Sequence, residues 1–156
     1  VAAKYKVSVD PVEHIAIFKI ESDRFFALNQ ECFDIIFIDG KHTKEQVLRD
    51  FDNALKWLGL DGSIVVHDCN PVKERDTDTA VNGTVWEAWA RYRMCRPDLS
   101  MAVLDTDHGC GVIRRGQQEL FPLVEGVDYN FLDRNREKLL NLVPPVWPNW
   151  LDNNFK

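Results

Sequence analysis

The sequence predicts an α/β fold on a mostly parallel sheet, with helices on both faces and an antiparallel hairpin toward the C-terminus. Three observations predict it. Phe33-Asp-Ile-Ile-Phe-Ile38 and Ser63-Ile-Val-Val-His67 are short apolar runs, the form taken by strands covered on both faces. Between them Val47, Phe51, Ala54, Leu55 and Leu58 recur at helical spacing. Met101-Ala-Val-Leu-Asp105 and Gly111-Val-Ile-Arg114 flank a short turn as the arms of a hairpin do. Strands alternating with helices imply parallel β-α-β units, and the hairpin adds an antiparallel edge.

Taken in order, residues 4–9 read as a strand ending at Asp10-Pro11, and residues 14–20 as a second. Ser22 is placed to cap a helix over roughly 23–30, with Asp23 favourable in its first turn. Residues 33–38 are the first strong strand. Thr43-Lys-Glu-Gln46 matches a capping box opening the next helix, with Asp50, Asp52 and Lys56 largely on its polar face. Asp61-Gly62 signals a turn before the strand 63–67. Residues 71–83 are polar and read as a long loop, of the kind that carries function or moves. Thr84-Val-Trp-Glu87 is a second capping box, opening a helix to about Arg93 in which Trp86 and Trp89 fall at core spacing. Arg91, Arg93 and Arg96 read as a solvated helix face. A last helix spans 128–142, and Pro144-Pro-Val-Trp-Pro148 cannot extend it. The domain is therefore expected over 1–143, followed by a Pro/Trp-rich tail over 144–156.

The 156 residues fit one domain, and nine Phe and five Trp supply a substantial core. A net charge of −6 argues against a nucleic-acid backbone binder, which needs a basic face. No apolar run approaches the roughly 20 residues of a membrane span, and no secretory pattern opens the chain. Cys32, Cys69, Cys95 and Cys110 form no C-x-x-C pair. They read as reduced thiols of a cytoplasmic protein. The chain opens on Val1, almost directly before a strand-like run, and so reads as a piece that begins inside a domain.

Function is expected at the strand ends. In open α/β sheets, ligands sit past the carboxyl ends of the strands. Phe33-Asp-Ile-Ile-Phe-Ile-Asp-Gly-Lys-His42 and Ser63-Ile-Val-Val-His-Asp-Cys-Asn70 would direct Asp39, His42, His67 and Asp68 into one crevice.

These residues carry a resemblance. Ile38-Asp-Gly-x-His42, followed by Leu60-x-Gly-Ser-Ile-Val-Val-His-Asp68, resembles the small class I S-adenosylmethionine-dependent methyltransferases, in the group with "IDG-x-H" and "HD" strand ends. Val9-Asp10-Pro11, Glu21-Ser-Asp-Arg-Phe-Phe26 and Asp105-Thr-Asp-x-Gly109-x-Gly111 are similar to that group's text at corresponding places. The resemblance covers about residues 7–115. It implies a seven-stranded Rossmann-like sheet, S-adenosylmethionine as cofactor and a small-molecule substrate, a sugar hydroxyl being the acceptor we expect. It places Asp10 at the ribose hydroxyls, Glu21, Ser22 and Asp23 toward the adenine, and Asp39 and Gly40 toward the methionine part. It makes His42 and His67, beside Asp39, the candidates for a catalytic base. It also suggests Mg²⁺ on Asp39, Asp68 and Asn70.

The family's glycine-rich first strand has no counterpart in this text and would lie upstream of Val1. Residues 4–9 must then pair directly with 34–38, or a partner must fill the gap, and an exposed edge there would favour a homodimer. Two alternatives stay open: a remnant serving as a binding or assembly module, and a metal-dependent hydrolase built on Asp39, Asp68 and the histidines.

Overall fold

A computed structural model describes residues 3–145. The elements run α1 (Ser22–Leu28), β1 (Phe33–Ile38), α2 (Lys44–Trp57), β2 (Leu58–Val66), a 3₁₀ turn (Glu74–Thr77), α3 (Val85–Cys95), β3 (Leu99–Leu104), β4 (Cys110–Arg115), α4 (Tyr129–Leu140) and β5 (Leu142–Val143). The described sheet has the order β1-β2-β4-β3-β5. β1 pairs with β2 in parallel, β4 lies antiparallel between β2 and β3, and β5 runs parallel beside β3. Thus β4 alone is reversed. The sheet is mixed with mostly parallel strands and is flanked by helices, the α/β Rossmann-like fold expected from the sequence.

The core follows the apolar periodicity. Val47, Phe51, Ala54 and Leu55 of α2 are buried, as are Trp86 and Trp89 of α3. Trp89 Nε1 donates to the Leu140 carbonyl at 3.2 Å, tying α3 to the end of α4. On the sheet beneath, a Cβ added at Gly111 would stand 2.4 Å from Trp89 Cζ3, so only glycine admits the indole. Arg93, expected on a solvated face, is buried instead. It donates to the carbonyls of Lys138 and Leu139 in the last turn of α4.

Both capping boxes start their helices where expected, at Thr43 and Thr84, but neither threonine caps its own helix with its side chain. Thr84 Oγ1 instead accepts from the Lys44 N–H at 2.7 Å, and Lys44 Nζ meets Glu87 Oε2 at 3.2 Å. Two helix N-termini are thereby pinned together. Ser22 likewise does not cap α1, whose N-cap is Glu21. Its hydroxyl donates to Asp50 Oδ1 at 2.7 Å, and Gln46 adds a bond at 3.1 Å. Asp50, expected on the polar face, is buried at this α1–α2 contact.

Other expectations are corrected. Residues 4–9 and 14–20 are not strands; they are joined by the isolated parallel bridge Val9–Phe18 and by the Ile17 N–H bond to Ser8 Oγ at 3.0 Å. A strand is held along its length by a neighbour, and these segments are held at one place, leaving Tyr5, Ile15 and Ile17 exposed. Neither pairs with β1, whose Ile35 and Phe37 are also exposed. Asp61-Gly62 is not a turn between elements. It lies inside β2, where the register jumps from Phe33↔Leu58 to Ile35↔Ser63 and the strand absorbs the extra residues as a bulge. Most of the expected Pro/Trp tail, residues 146–156, lies outside the described residues.

Candidate functional site at the strand ends

The parallel pairing of β1 and β2 continues one residue past β2, where the His67 N–H donates to the Ile38 carbonyl at 3.0 Å. That places Asp39 beside His67 and Asp68. Four side chains converge: His42 Nε2 lies 3.1 Å from Asp68 Oδ2 and 3.6 Å from Asp39 Oδ1, and His67 Nδ1 lies 3.3 Å and 3.6 Å from the same two oxygens. His67 Nε2 lies 3.4 Å from Asp107 Oδ2, a residue from the β3–β4 turn. The four side chains expected to share one location lie together.

Asp68 is held in an unusual backbone conformation. Its φ is 64°, a left-handed value that costs a residue with a Cβ roughly 1–2 kcal/mol. The next residues are locked to the hairpin turn, Cys69 N–H to the Gly109 carbonyl at 3.0 Å and Asn70 N–H to the His108 carbonyl at 2.8 Å. Gly109 (φ +88°) permits that approach, since a Cβ there would lie 2.4 Å from Asn70 Cβ. On the other side, Gly83 (φ +58°) packs against the His42 backbone, where a Cβ would fall 2.0 Å from the carbonyl oxygen.

The electrostatics single out His67. Burial pushes its pKa down, but the carboxylates of Asp68, Asp39 and Asp107 outweigh that and hold it above the ordinary imidazole value. The Cys110 thiol, nearby, is pushed up by burial and by the same three carboxylates. His42 is placed differently. Its Nδ1 is buried and has no hydrogen-bond partner. A proton there would be a buried donor without an acceptor, so the neutral ring carries its proton on Nε2, facing Asp68.

The remaining candidates divide. Asp10 Oδ1 accepts from the Val12 and Glu13 N–H groups, both at 2.7 Å, and these bonds lower its pKa. Glu21 is exposed. Nothing would meet a Cβ at Gly40 within 4 Å, so the β1 end opens onto free space beside Asp39. Ser22 is bound to Asp50, and Asp23 is bridged to Arg49 at 3.1 Å and to Asn53 at 3.2 Å. No hydrogen bond or ion pair among the described residues joins Asp10, Glu21, Ser22 or Asp23 to the cluster. Asn70 Oδ1 accepts from Arg136 at 2.5 Å, and its amide nitrogen donates to Asp105 at 3.1 Å. Asp39, His42 and Asp68 each bring one ligand-type atom within 4.8 Å of the others.

Neither Asn82 nor the turn residues Asp107 and His108 are singled out by the sequence analysis. Asn82 is fully buried and donates to Asp68 Oδ1 at 3.1 Å. The one available signal was the pair Asn82-Gly83 directly before a capping threonine.

The fold is a mostly parallel α/β sheet with a polar cluster past adjoining strand ends, the place where ligands sit in open sheets of this class. Comparison with known families is specific: residues 5–69 match a family model described as "Methyltransferase domain". The match takes in β1, α2 and β2 with Asp39, His42, His67 and Asp68. Over that segment the match agrees with the resemblance to the class I methyltransferases. Among the described residues, no helix is long and apolar enough to cross a membrane.

Proposed function

We propose that this protein transfers a methyl group from S-adenosylmethionine to a hydroxyl of a small molecule, such as a sugar, with His67 taking the hydroxyl proton. The observation that carries this reading is the meeting of Asp39, His42, His67 and Asp68 at the joined ends of β1 and β2. The family match favours methyl transfer over the assembly-module and hydrolase alternatives.

The β1 end is where we place the cofactor. Open space adjoins Gly40, and Asp10 presents a carboxylate held by two backbone donors, suited to the paired hydroxyls of a ribose. Asp10, Glu21, Asp39 and Gly40 are the residues we assign to it; Ser22 and Asp23 are already bound to α2. When bound, S-adenosylmethionine supplies an electrophilic methyl group. It would deliver that group to the acceptor hydroxyl, whose proton His67 Nε2, 3.4 Å from Asp107 Oδ2, would take. His67 suits that task because Nδ1 faces Asp68 and Asp39, which stabilise the imidazolium that forms.

Mg²⁺ does not fit. It wants hard oxygen ligands in octahedral array, yet the groups that converge are two carboxylates and two imidazoles. The Asn70 oxygen already accepts from Arg136. Ligation through His42 Nε2 would force a proton onto its buried, partnerless Nδ1, whereas ligating histidines donate that proton to a partner. No step is routed through a metal.

The test is transfer of isotopically labelled methyl from S-adenosylmethionine to a panel of monosaccharides and simple glycosides. Product is expected from the wild type. His67→Gln should lower the rate by about a hundredfold or more without a matching fall in melting temperature. Calorimetry showing no heat with millimolar S-adenosylmethionine would overturn the reading.

A further inference from the structure

The carboxylate at the centre of the site is held from behind by one residue. Asp68 turns Oδ2 toward His42 and His67, and Oδ1 toward Asn82 Nδ2 at 3.1 Å. The same Asn82 nitrogen donates to the His108 carbonyl at 3.3 Å, and Asn82 Oδ1 faces His108 Nδ1 at 3.1 Å. Both groups facing the nitrogen are acceptors only, so a single amide orientation satisfies the site. His108 Nδ1 must then carry a proton. Every hydrogen-bonding end of this buried amide is engaged, and every partner belongs to the site or its rim.

The placement of Asn82 is fixed independently. Its N–H donates to the Asp76 carbonyl at 2.9 Å, closing the loop that begins at Pro71. Gly83 follows at positive φ against His42, and the Thr84 N–H donates to the His42 carbonyl at 3.0 Å. One short segment thus grips His42 through its backbone and Asp68 through a side chain. Asp68 needs that grip, since its left-handed backbone offers no regular strand pairing to hold it.

We propose that Asn82 is a positioning residue for methyl transfer, holding the Asp68 carboxylate so that it orients His67 through Nδ1 and turns Nε2, the nitrogen that faces Asp107 Oδ2 at 3.4 Å, toward the acceptor proton. This rests on the reading of His67 as the base. Asn82 touches neither cofactor nor acceptor; it acts through Asp68, and it links the 71–83 loop and the β3–β4 turn to the reacting end of the site.

The experiment is ¹⁵N NMR of the His67 ring in the wild type and in Asn82→Ala, with labelled-methyl transfer to the same saccharide panel and calorimetric affinity for S-adenosylhomocysteine. The wild type should show a protected proton on His67 Nδ1. Asn82→Ala should lose that protection and slow transfer about tenfold to hundredfold, the worth of a hydrogen bond to a charged group, with affinity unchanged within about twofold. In an Asp68→Asn background, Asn82→Ala should add no further change to the His67 signal. If Asn82→Ala does not fold, the near-isosteric Asn82→Asp, which sets an acceptor against Asp68, should abolish the same protection. An unchanged His67 signal and rate in a folded variant would overturn the linkage while leaving the base assignment standing. Loss of the signal with His67→Gln still fully active would overturn the base assignment alone.

Discussion

His67 lies where three carboxylates outweigh the cost of burial, and that sets how the site should respond to pH. A base acts unprotonated. With its pKa held above the ordinary 6.5 by Asp68, Asp39 and Asp107, transfer should be weak at low pH and rise as pH passes through that raised value. Asp107→Asn removes one of the three charges, so the rising limb should move to lower pH. A rate profile that stays fixed in the variant would contradict the assignment. Gly111 gives a structural prediction at the same scale. A methyl group there collides with the Trp89 ring, so Gly111→Ala should cost about 1–3 kcal/mol in denaturant unfolding. At this scale the sequence showed Asp39, His42, His67 and Asp68 because each follows an apolar run, and strand ends are a readable place. Asn82 was not readable. It lies in a polar loop, where Asn82-Gly83 marks a turn but does not show that the loop folds back to bury the asparagine.

Among the elements, α2 and α3 were found at their correct starts but for an incomplete reason. A capping box describes one helix in isolation; here Thr84 serves the first turn of α2, forty residues before it. Thr84→Ala should therefore cost about 1 kcal/mol, and hydrogen exchange should show the first turn of α2, not only that of α3, opening more readily. Asp50 gives the second prediction. Burial raises its pKa despite the donors Ser22 and Gln46. The folded state then binds a proton more tightly than the unfolded chain, so this group's contribution is fully present below 3.8 and is lost as pH rises through the folded value. Asp50→Asn should melt higher than the wild type near neutral pH, and the difference should close as pH falls below 3.8. A lower melting temperature at neutral pH would mean the charged form is the stabilising one. The strands expected over 4–9 and 14–20 failed because apolar alternation shows that a segment can pair, not that a neighbour lies along it.

For the molecule as a whole, the alternation of apolar runs and helical stripes was enough to read a mostly parallel sheet with a reversed hairpin strand. The sequence did not show that β4 enters between β2 and β3, which brings Asp107, His108 and Gly109 against the ends of β1 and β2. That insertion ties the hairpin turn to the end of β2, because the turn supplies backbone acceptors to Cys69 and Asn70. The central claim is that the cofactor and the proton-accepting imidazole share this one location. It is tested most directly by an NMR titration of the wild-type chain with S-adenosylhomocysteine, following backbone amides and histidine rings. The predicted result is saturable change centred on Asp10, Asp39, Gly40 and His67. Change confined to other surfaces, or none at millimolar ligand, would contradict it.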